Sequence, residues 1–267
     1  MSGESLLNIT RSAVFFGGHQ TVASYIPFKE YLKEIRDGSS NYSLTTDGFT
    51  DWNANNPAYV FEVLENGTVY KYLYSRIPRL MDYSDGYSYA DWLSYINSDK
   101  ARFINYQGHG SRTNLMHMGY EQVKDMSNSI PFMTLTVSCS AGEFQDGQCI
   151  VKRMLAYDDT SGAVAAVAAT DVLHYHGSTT NAWSHKFLRV FHDKLFDTPY
   201  HLWKPMGYYF QSSFNHTHIR NKADDSAEWA NDFLAIDYFG DPALKLKIYQ
   251  EQHDMEVYSI AIKKDGG

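Results

Sequence analysis

Two residues with reactive side chains each lie at the end of a segment whose composition is typical of a buried strand. His109 stands in "QGHGS", directly after residues 101–107, and Cys139 stands in "VSCSAG", at the end of residues 131–140. Glycines pack poorly inside strands, but at a strand's end they let the backbone turn and approach a ligand closely. If the two strands are parallel neighbours, the imidazole and the thiol meet at one edge of the sheet.

These residue types fit nucleophilic catalysis by a cysteine. A free thiol has a pKa of about 8.5, so only a few per cent is thiolate at neutral pH unless a base takes the proton. A neighbouring imidazole can do this and later protonate a leaving amine, while backbone N–H groups at a glycine turn can bind an oxyanion. A lone strand-end cysteine is usually a core residue and a lone histidine beside glycine a turn residue. The prediction therefore depends on the two occurring together.

The rest of the chain predicts the framework that would hold this pair. Segments predicted as helices alternate with the predicted strands, which indicates βαβ units. The sequence therefore predicts an α/β domain with a mainly parallel, six-stranded sheet and helices on both faces. The predicted strands are residues 12–18, 68–76, 101–107, 131–140, 162–170 and 242–249.

Composition excludes several classes of protein. The 267 residues are enough for one large domain with a sizeable core, and the net charge of −8 argues against nucleic-acid binding. Two cysteines do not make a disulfide framework, and no apolar run is long enough to span a membrane. No basic stretch leads into an apolar one, so no signal peptide is expected in this sequence.

Five motifs in order carry a resemblance to a known family. They are "FINYQGHGS", "TLTVSCSAGEF", "QCIVKRML", "GAVAAVAAT" and "YFGDPALKLK". Together they resemble the gingipain family, the C25-type cysteine peptidases of the caspase-like clan, over about residues 12–249. The resemblance implies a three-layer caspase-like fold, with one peptidase domain at 1–250 and an extension or the start of another domain at 251–267. It also implies a longer multidomain chain at an extracellular or cell-surface location, with which four Asn-X-Ser/Thr triplets are compatible.

The resemblance implies a function and a catalytic site. A family member would hydrolyse polypeptide substrates with His109 and Cys139 as its dyad, and the N–H of Gly110 would help to form the oxyanion hole. Two alternatives stay open. One is a non-catalytic caspase-like module that binds through the same cleft, and the other is a transpeptidase or ligase that passes the same thioester to an amine.

The resemblance also suggests where a substrate side chain would bind. Gln107 and Val137, each two residues before a catalytic residue, are expected to form the floor of the pocket. His174 and Tyr175, in the loop after the fifth predicted strand, would line its wall. Asp171 lies beside them at the end of that strand.

The sequence departs from the family at two positions. Gingipains place a glutamate after the first strand to orient the catalytic histidine, but the stretch here is "FFGGHQT", which offers only His19 or Gln20. The aspartate that holds an Arg or Lys side chain is also missing from "VASYIPFKE". The remaining acidic candidates are Glu30, Asp51 and Asp171. We therefore expect a preference for non-basic residues or a relaxed one.

No cofactor is expected. His174, His176 and His185 lack the compact spacing of a zinc motif. Residues 47–56, "DGFTDWNANN", carry carboxylate and amide oxygens without EF-hand spacing, which leaves a structural calcium ion as an option.

Overall fold

The computed structural model describes most of the central part of the chain and several shorter segments. Predictions made for His19, Gln20, Asp51, His176 and the segment 47–56 fall outside the described residues. The described residues are 13–18, 25–37, 61–65, 68–72, 80–82, 88–98, 103–145, 147–155, 158, 160–175, 177–196, 204–221, 227–245 and 249–251.

A six-stranded sheet forms the centre of the described structure. Its strand order is β10-β9-β8-β5-β1-β4, and every pairing is parallel except that of β10 with β9. The predicted α/β class and the mainly parallel sheet are therefore confirmed. The strands are β1 (Ala13–Gly17), β4 (Leu80–Asp82), β5 (Phe103–Gln107), β8 (Phe132–Val137), β9 (Ala163–Ala169) and β10 (Ile236–Gly240).

The other strands form two small antiparallel sheets. The first pairs β2 (Phe61–Glu65), β3 (Thr68–Tyr72) and β11 (Tyr249–Glu251), and the second pairs β6 (Asn114–Leu115) with β7 (Met118–Gly119). The prediction that residues 68–76 belong to the central sheet is wrong for the described part, 68–72. Charged and tyrosine residues in this segment suit an antiparallel ribbon better than a strand buried on both faces.

The last strand of the central sheet was also predicted in the wrong place. The last strand of this sheet along the chain is β10, which ends before the predicted segment 242–249. After β10 the chain turns: the Asp241 carboxylate accepts a hydrogen bond from the Ala243 N–H at 2.8 Å, and Pro242 has no N–H to offer to a strand ladder.

Helices cover both faces of the central sheet. On one face, Leu32 and Phe187 pack with Leu135, and on the other, Trp92 and Ile150 pack with Ile104. The alternation of side chains along β5 and β8 supplies both faces from the same strands. The helices are α1 (Phe28–Asp37), α2 (Tyr89–Asn97), α3 (Ile150–Leu155), α4 (Trp183–Phe196), α5 (Met206–Asn221) and α6 (Ala227–Ala235), with a 3-10 helix at Tyr120–Asp125.

Strands β5 and β8 are buried along their whole lengths. Fully burying one large apolar side chain contributes about 1.5–3 kcal/mol, so both strands are firmly fixed in the core. Residues immediately beyond their carboxyl ends are therefore attached to the most rigid part of the sheet. In the part of the chain that the structure describes, none of the helices is long and apolar enough to cross a membrane.

Candidate active site

The two strands that end before His109 and Cys139 lie side by side. Strands β5 and β8 pair in parallel, with Gln107 opposite Val137 at the last position of the ladder. His109 and Cys139 each come two residues after that position, at the same edge of the sheet. The predicted adjacency of the two strand ends is confirmed. His109 is exposed and Cys139 partly exposed, so both are open to a ligand.

A tyrosine hydroxyl explains the glycine that precedes His109. The Tyr106 hydroxyl donates a hydrogen bond to the His109 carbonyl at 2.7 Å, which brings it directly beside Gly108. A Cβ on Gly108 would lie 2.5 Å from the Tyr106 Oη and 2.7 Å from the Gly18 Cα. Any larger residue at position 108 would have to displace backbone, so the close approach requires glycine.

The His109 imidazole packs against an aromatic side chain. Its ring meets that of Phe28 at 87°, with the ring centroids 5.3 Å apart. Phe28 is fully buried and begins α1, so its own position is fixed by the core. Edge-to-face contacts of this kind orient rings. Among the residues that the structure describes, none forms a hydrogen bond with the imidazole.

The loop that carries Cys139 is held by the end of β9. The Cys139 Sγ lies 3.7 Å from the Leu173 carbonyl oxygen. The next residue, Ser140, has a φ of 53°, a conformation that L-residues other than glycine adopt rarely. Its N–H donates to the Asp171 carbonyl at 3.0 Å. The thiol therefore sits on a sharp backbone turn whose shape depends on the segment 170–173.

That segment continues into a histidine fixed by a buried carboxylate. One carboxylate oxygen of Asp232, in α6, accepts from the backbone N–H of His174 and contacts the His174 Nδ1, both at 2.9 Å. The Asp232 side chain is 2% exposed and that of His174 37%. Burial raises the pKa of Asp232, while the hydrogen bonds from His174 lower it. Asp232 therefore fixes both the backbone and the ring of His174.

The next residue, Tyr175, contacts the backbone at the ends of both β5 and β8. Its hydroxyl lies 3.0 Å from the Gly108 carbonyl oxygen and 2.7 Å from that of Val137. Its ring packs edge-on against Phe28, at a centroid distance of 4.8 Å. Burial, with a smaller contribution from Cys139, raises the pKa of Tyr175 well above its ordinary value. The hydroxyl therefore remains a neutral donor.

A buried polar network lies beneath the site, between α1, α4 and β5. Glu34 accepts from the Thr180 hydroxyl at 2.6 Å and contacts the His185 Nε2 at 3.2 Å and the Arg189 Nη1 at 3.3 Å. The His185 Nδ1 in turn lies 3.2 Å from the Gln107 Oε1. Burial lowers the pKa of His185 to about 4, so this imidazole is neutral at neutral pH. The network links α4 to the strand that ends at His109.

The sequence profile of peptidase family C25 matches residues 5–247. The chain belongs to peptidase family C25. This is a family of cysteine peptidases that includes the gingipains, so the predicted family is confirmed. No curated protein has a matching sequence.

Two solved structures have a fold similar to that of this chain. The complex of the Porphyromonas gingivalis RgpB pro- and mature domains is 17% identical with a TM-score of 0.61, covering 91% of this chain and 50% of that one. A second structure, described as a protease, is 12% identical with a TM-score of 0.58, covering 91% of this chain and 49% of that one. The chain thus spans about half the length of these two proteins.

The other candidate residues that the resemblance suggested differ in their exposure and in their polar contacts. Gln107 and Val137 are at most 1% exposed. Glu30 forms an ion pair with Lys33 at 2.6 Å. Asp171 is exposed, and its carboxylate accepts the N–H of the next residue at 2.7 Å.

Of the histidines considered for zinc, the two that the structure describes, His174 and His185, have different partners. His174 contacts Asp232, whereas His185 contacts Glu34 and Gln107. Within the described residues no group of three His, Cys, Asp or Glu side chains could hold a metal ion.

Sequence reasoning missed the role of Glu34. It flanks the apolar stripe of α1, formed by Phe28, Tyr31, Leu32 and Ile35, and that position was the available signal.

Proposed function

We propose that this C25 domain is an endopeptidase that cleaves peptide bonds through a thioester on Cys139, with His109 as general acid and base. The observation that carries the proposal is the parallel pairing of β5 and β8 in a register that puts both residues two positions beyond the ladder. A three-layer caspase-like arrangement, with helices covering both sheet faces, is part of the same proposal.

The proposed reaction has two stages. His109 takes the thiol proton, the sulfur of Cys139 attacks the peptide carbonyl, and the imidazolium gives the proton to the leaving amine. His109 then takes a proton from water, whose oxygen attacks the thioester carbonyl. The C–S bond breaks, the carboxylic acid product leaves, and the imidazolium returns its proton to the Cys139 sulfur. Backbone N–H groups of Gly110 and Cys139 are the proposed oxyanion donors. A Cβ on Gly110 would lie 3.3 Å from the Cys139 carbonyl oxygen, which supports placing Gly110 in this cleft.

The proposed catalytic unit is a dyad. The buried ring of Phe28 packs edge-on against His109 and orients it by packing. A carboxylate in that role would stabilise the imidazolium, and a phenyl ring makes no comparable charge contribution. In the proposed dyad, the imidazolium is therefore stabilised by its attraction to the thiolate and not by a carboxylate.

We further propose a preference for neutral residues or a relaxed preference at the cleavage site. Burying the positive charge of an Arg or Lys side chain is costly unless a carboxylate that has no other cationic partner lies beside it. The acid of the network, Glu34, contacts the Arg189 guanidinium at 3.3 Å; the Arg189 side chain is 2% exposed and that of Glu34 13%. The exposed Asp171 carboxylate accepts from its own neighbouring N–H. Neither group offers a free buried charge to an Arg or Lys side chain.

The natural partner in this proposal is a polypeptide substrate that meets the enzyme outside the cell or at its surface, where the domain belongs to a longer multidomain chain. No cofactor takes part in the proposed steps, and a structural calcium ion in segment 47–56 stays a separate proposal. A ligase reaction would use the same thioester, with an amine in place of water.

The test is cleavage of a mixed peptide library by the wild-type chain, by Cys139→Ala and by Cys149→Ala. We expect Cys139→Ala to lose turnover and Cys149→Ala to keep it, because the Cys149 thiol is buried on the side of α3. Turnover that survives Cys139→Ala would refute the proposal. Adding an amine nucleophile to the assay distinguishes hydrolysis from acyl transfer. Amide products would show transfer to the amine, whereas carboxylic acid products would show hydrolysis. A fully inactive wild-type chain that binds peptides would favour the non-catalytic module.

A further inference from the structure

Two tyrosine hydroxyls contact the backbone on either side of the proposed catalytic histidine. Beyond the β5–β8 ladder, the Gly108 N–H donates to the Val137 carbonyl at 3.3 Å. The Tyr175 hydroxyl lies 3.0 Å from the Gly108 carbonyl oxygen and 2.7 Å from the Val137 carbonyl oxygen, so its one proton is shared between the two strand ends. The Tyr106 hydroxyl donates to the His109 carbonyl at 2.7 Å.

The two hydroxyls act from opposite faces of the sheet. Tyr106 belongs to the cluster packed under α2 and α3, whereas Tyr175 packs on the cluster of α1 and α4. Between them they bind the carbonyls of Gly108 and His109, the two residues that determine where the imidazole leaves the strand. A short turn bound from both sides has little freedom to rock toward either face.

We propose that Tyr175 and Tyr106 are positioning residues that fix the His109 turn relative to the end of the Cys139 strand. The inference rests on the proposed function, because it assigns the two hydroxyls to the thiol–imidazole pair. It differs from the pocket-wall role expected of Tyr175, in which the ring contacts the substrate and the hydroxyl is dispensable.

Several observations favour the positioning role of Tyr175. Both acceptors of its hydroxyl are backbone carbonyls of the catalytic strands, and neither belongs to a surface that a substrate could occupy without breaking these bonds. The ring itself is held by Phe28 and Tyr31, at centroid distances of 4.8 and 6.1 Å. The preceding residue, His174, is anchored to Asp232. These contacts of His174 and of the Tyr175 ring hold the Tyr175 hydroxyl against the ends of β5 and β8.

The experiment compares Tyr175→Phe and Tyr106→Phe with Tyr120→Phe in the full chain. The first two changes keep the ring and remove only the hydroxyl. The Tyr120 ring lies under Arg153, and among described residues its hydroxyl has no hydrogen-bond partner, which makes it a matched control. Two rates are measured: peptide cleavage, resolved into kcat and KM, and alkylation of Cys139 by iodoacetamide, with His109→Ala as the reference for a thiol without its base.

We expect kcat to fall about tenfold or more in Tyr175→Phe, with KM changed less than about twofold, because misplacing a reacting group lowers the rate without weakening binding. Alkylation of Cys139 should slow toward the rate of His109→Ala. Tyr106→Phe should show the same pattern, and it tests the claim alone if Tyr175→Phe does not fold. The control should match wild type.

Three outcomes would overturn the inference or its basis, and they can be told apart. If Tyr175→Phe and Tyr106→Phe both keep the kcat and the Cys139 alkylation rate of wild type, the two hydroxyls do not position the His109 turn. Raised KM at unchanged kcat in Tyr175→Phe would assign Tyr175 to substrate binding. Equal alkylation of Cys139 in wild type and His109→Ala would instead remove the dyad, and with it the proposed function.

Discussion

Adding one methyl group at Gly110 should misplace the proposed catalytic residues without removing any hydrogen-bond donor. A Cβ built on Gly110 lies 2.8 Å from both the Cβ and the Oγ of Ser138, about 0.6 Å inside ordinary van der Waals contact. Ser138 cannot easily yield, because it is fully buried and its Oγ is hydrogen-bonded to the Thr136 Oγ1 at 2.8 Å. The displacement must therefore pass to the backbone that carries His109 or Cys139.

The expected loss follows from the size of that displacement. A misplacement of about 1 Å can lower a rate by about 100-fold, so a shift of about 0.6 Å should reduce kcat by about 10- to 100-fold. Overpacking should also cost about 1–3 kcal/mol of stability. The assay is steady-state cleavage of a peptide found with the library, at a temperature where thermal unfolding shows Gly110→Ala to be folded.

The control is Gly119→Ala. A Cβ there meets only the Gln122 Oε1, at 3.3 Å, and no atom of β5 or β8, so the activity of this variant should stay at the wild-type level. A Gly110→Ala enzyme with the kcat of wild type would refute the reasoning, since it would mean that the cleft accommodates the methyl group without moving the reacting atoms.

Three further predictions concern pH, charge and thiol reactivity. Burial lowers the pKa values of His185 and His192 to about 4. The unfolded chain binds their protons first, so stability should fall as pH drops from about 6.5 to about 4, by about 2 kcal/mol per histidine at about pH 5; urea unfolding that is independent of pH would contradict this. Asp171→Asn should leave the ratio of cleavage after Arg to cleavage after neutral residues within about twofold in a library profile, because its carboxylate is exposed; a large selective loss after Arg would contradict it. Burial raises the pKa of Cys149, so mass spectrometry should find Cys139 alkylated first, and equal labelling of both would argue against the assignment.

Sequence patterns predicted the central strands well because burial on both faces leaves a clear signal. Strands β8 and β9 are continuous runs of apolar or β-branched residues, and β5, β8 and β9 each end within three residues of the predicted boundary. A chain that leaves such a strand has to emerge at the sheet edge. The positions of His109 and Cys139 relative to one another could therefore be predicted without knowing any side-chain contact.

Helix α5 was not predicted because its buried face contains polar residues. Ser213 and Thr217 are fully buried, and each hydroxyl donates to the carbonyl four residues earlier, at 2.6 and 2.8 Å. Hydroxyls satisfied in this way can face a core, yet they remove the apolar periodicity by which a helix is recognised. Polarity in the sequence thus concealed an ordinary packed helix.

The supports of the candidate site were hidden for a different reason. Glu34 meets Thr180 across 146 residues of chain, and Tyr175 meets Gly108 across 67. No spacing rule relates such distant positions, because the contacts depend on how helices and loops pack on the sheet. Side chains near the ends of β5 and β8 could be proposed as pocket residues, but their actual partners could be identified only from the folded structure.

The contacts around Cys139 also set an order of events during synthesis. The loop after Cys139 hydrogen-bonds to the end of β9, and the Thr170 N–H there donates to the Ala235 carbonyl at 2.7 Å. Asp232, which fixes His174, comes from the same late part of the chain. A ribosome therefore makes Cys139, the proposed nucleophile, near the middle of this sequence but makes the residues that support its loop almost 100 residues later. At about 5–20 residues per second, about 5–20 seconds separate the two events, and the nascent chain carries an incomplete candidate site throughout that interval.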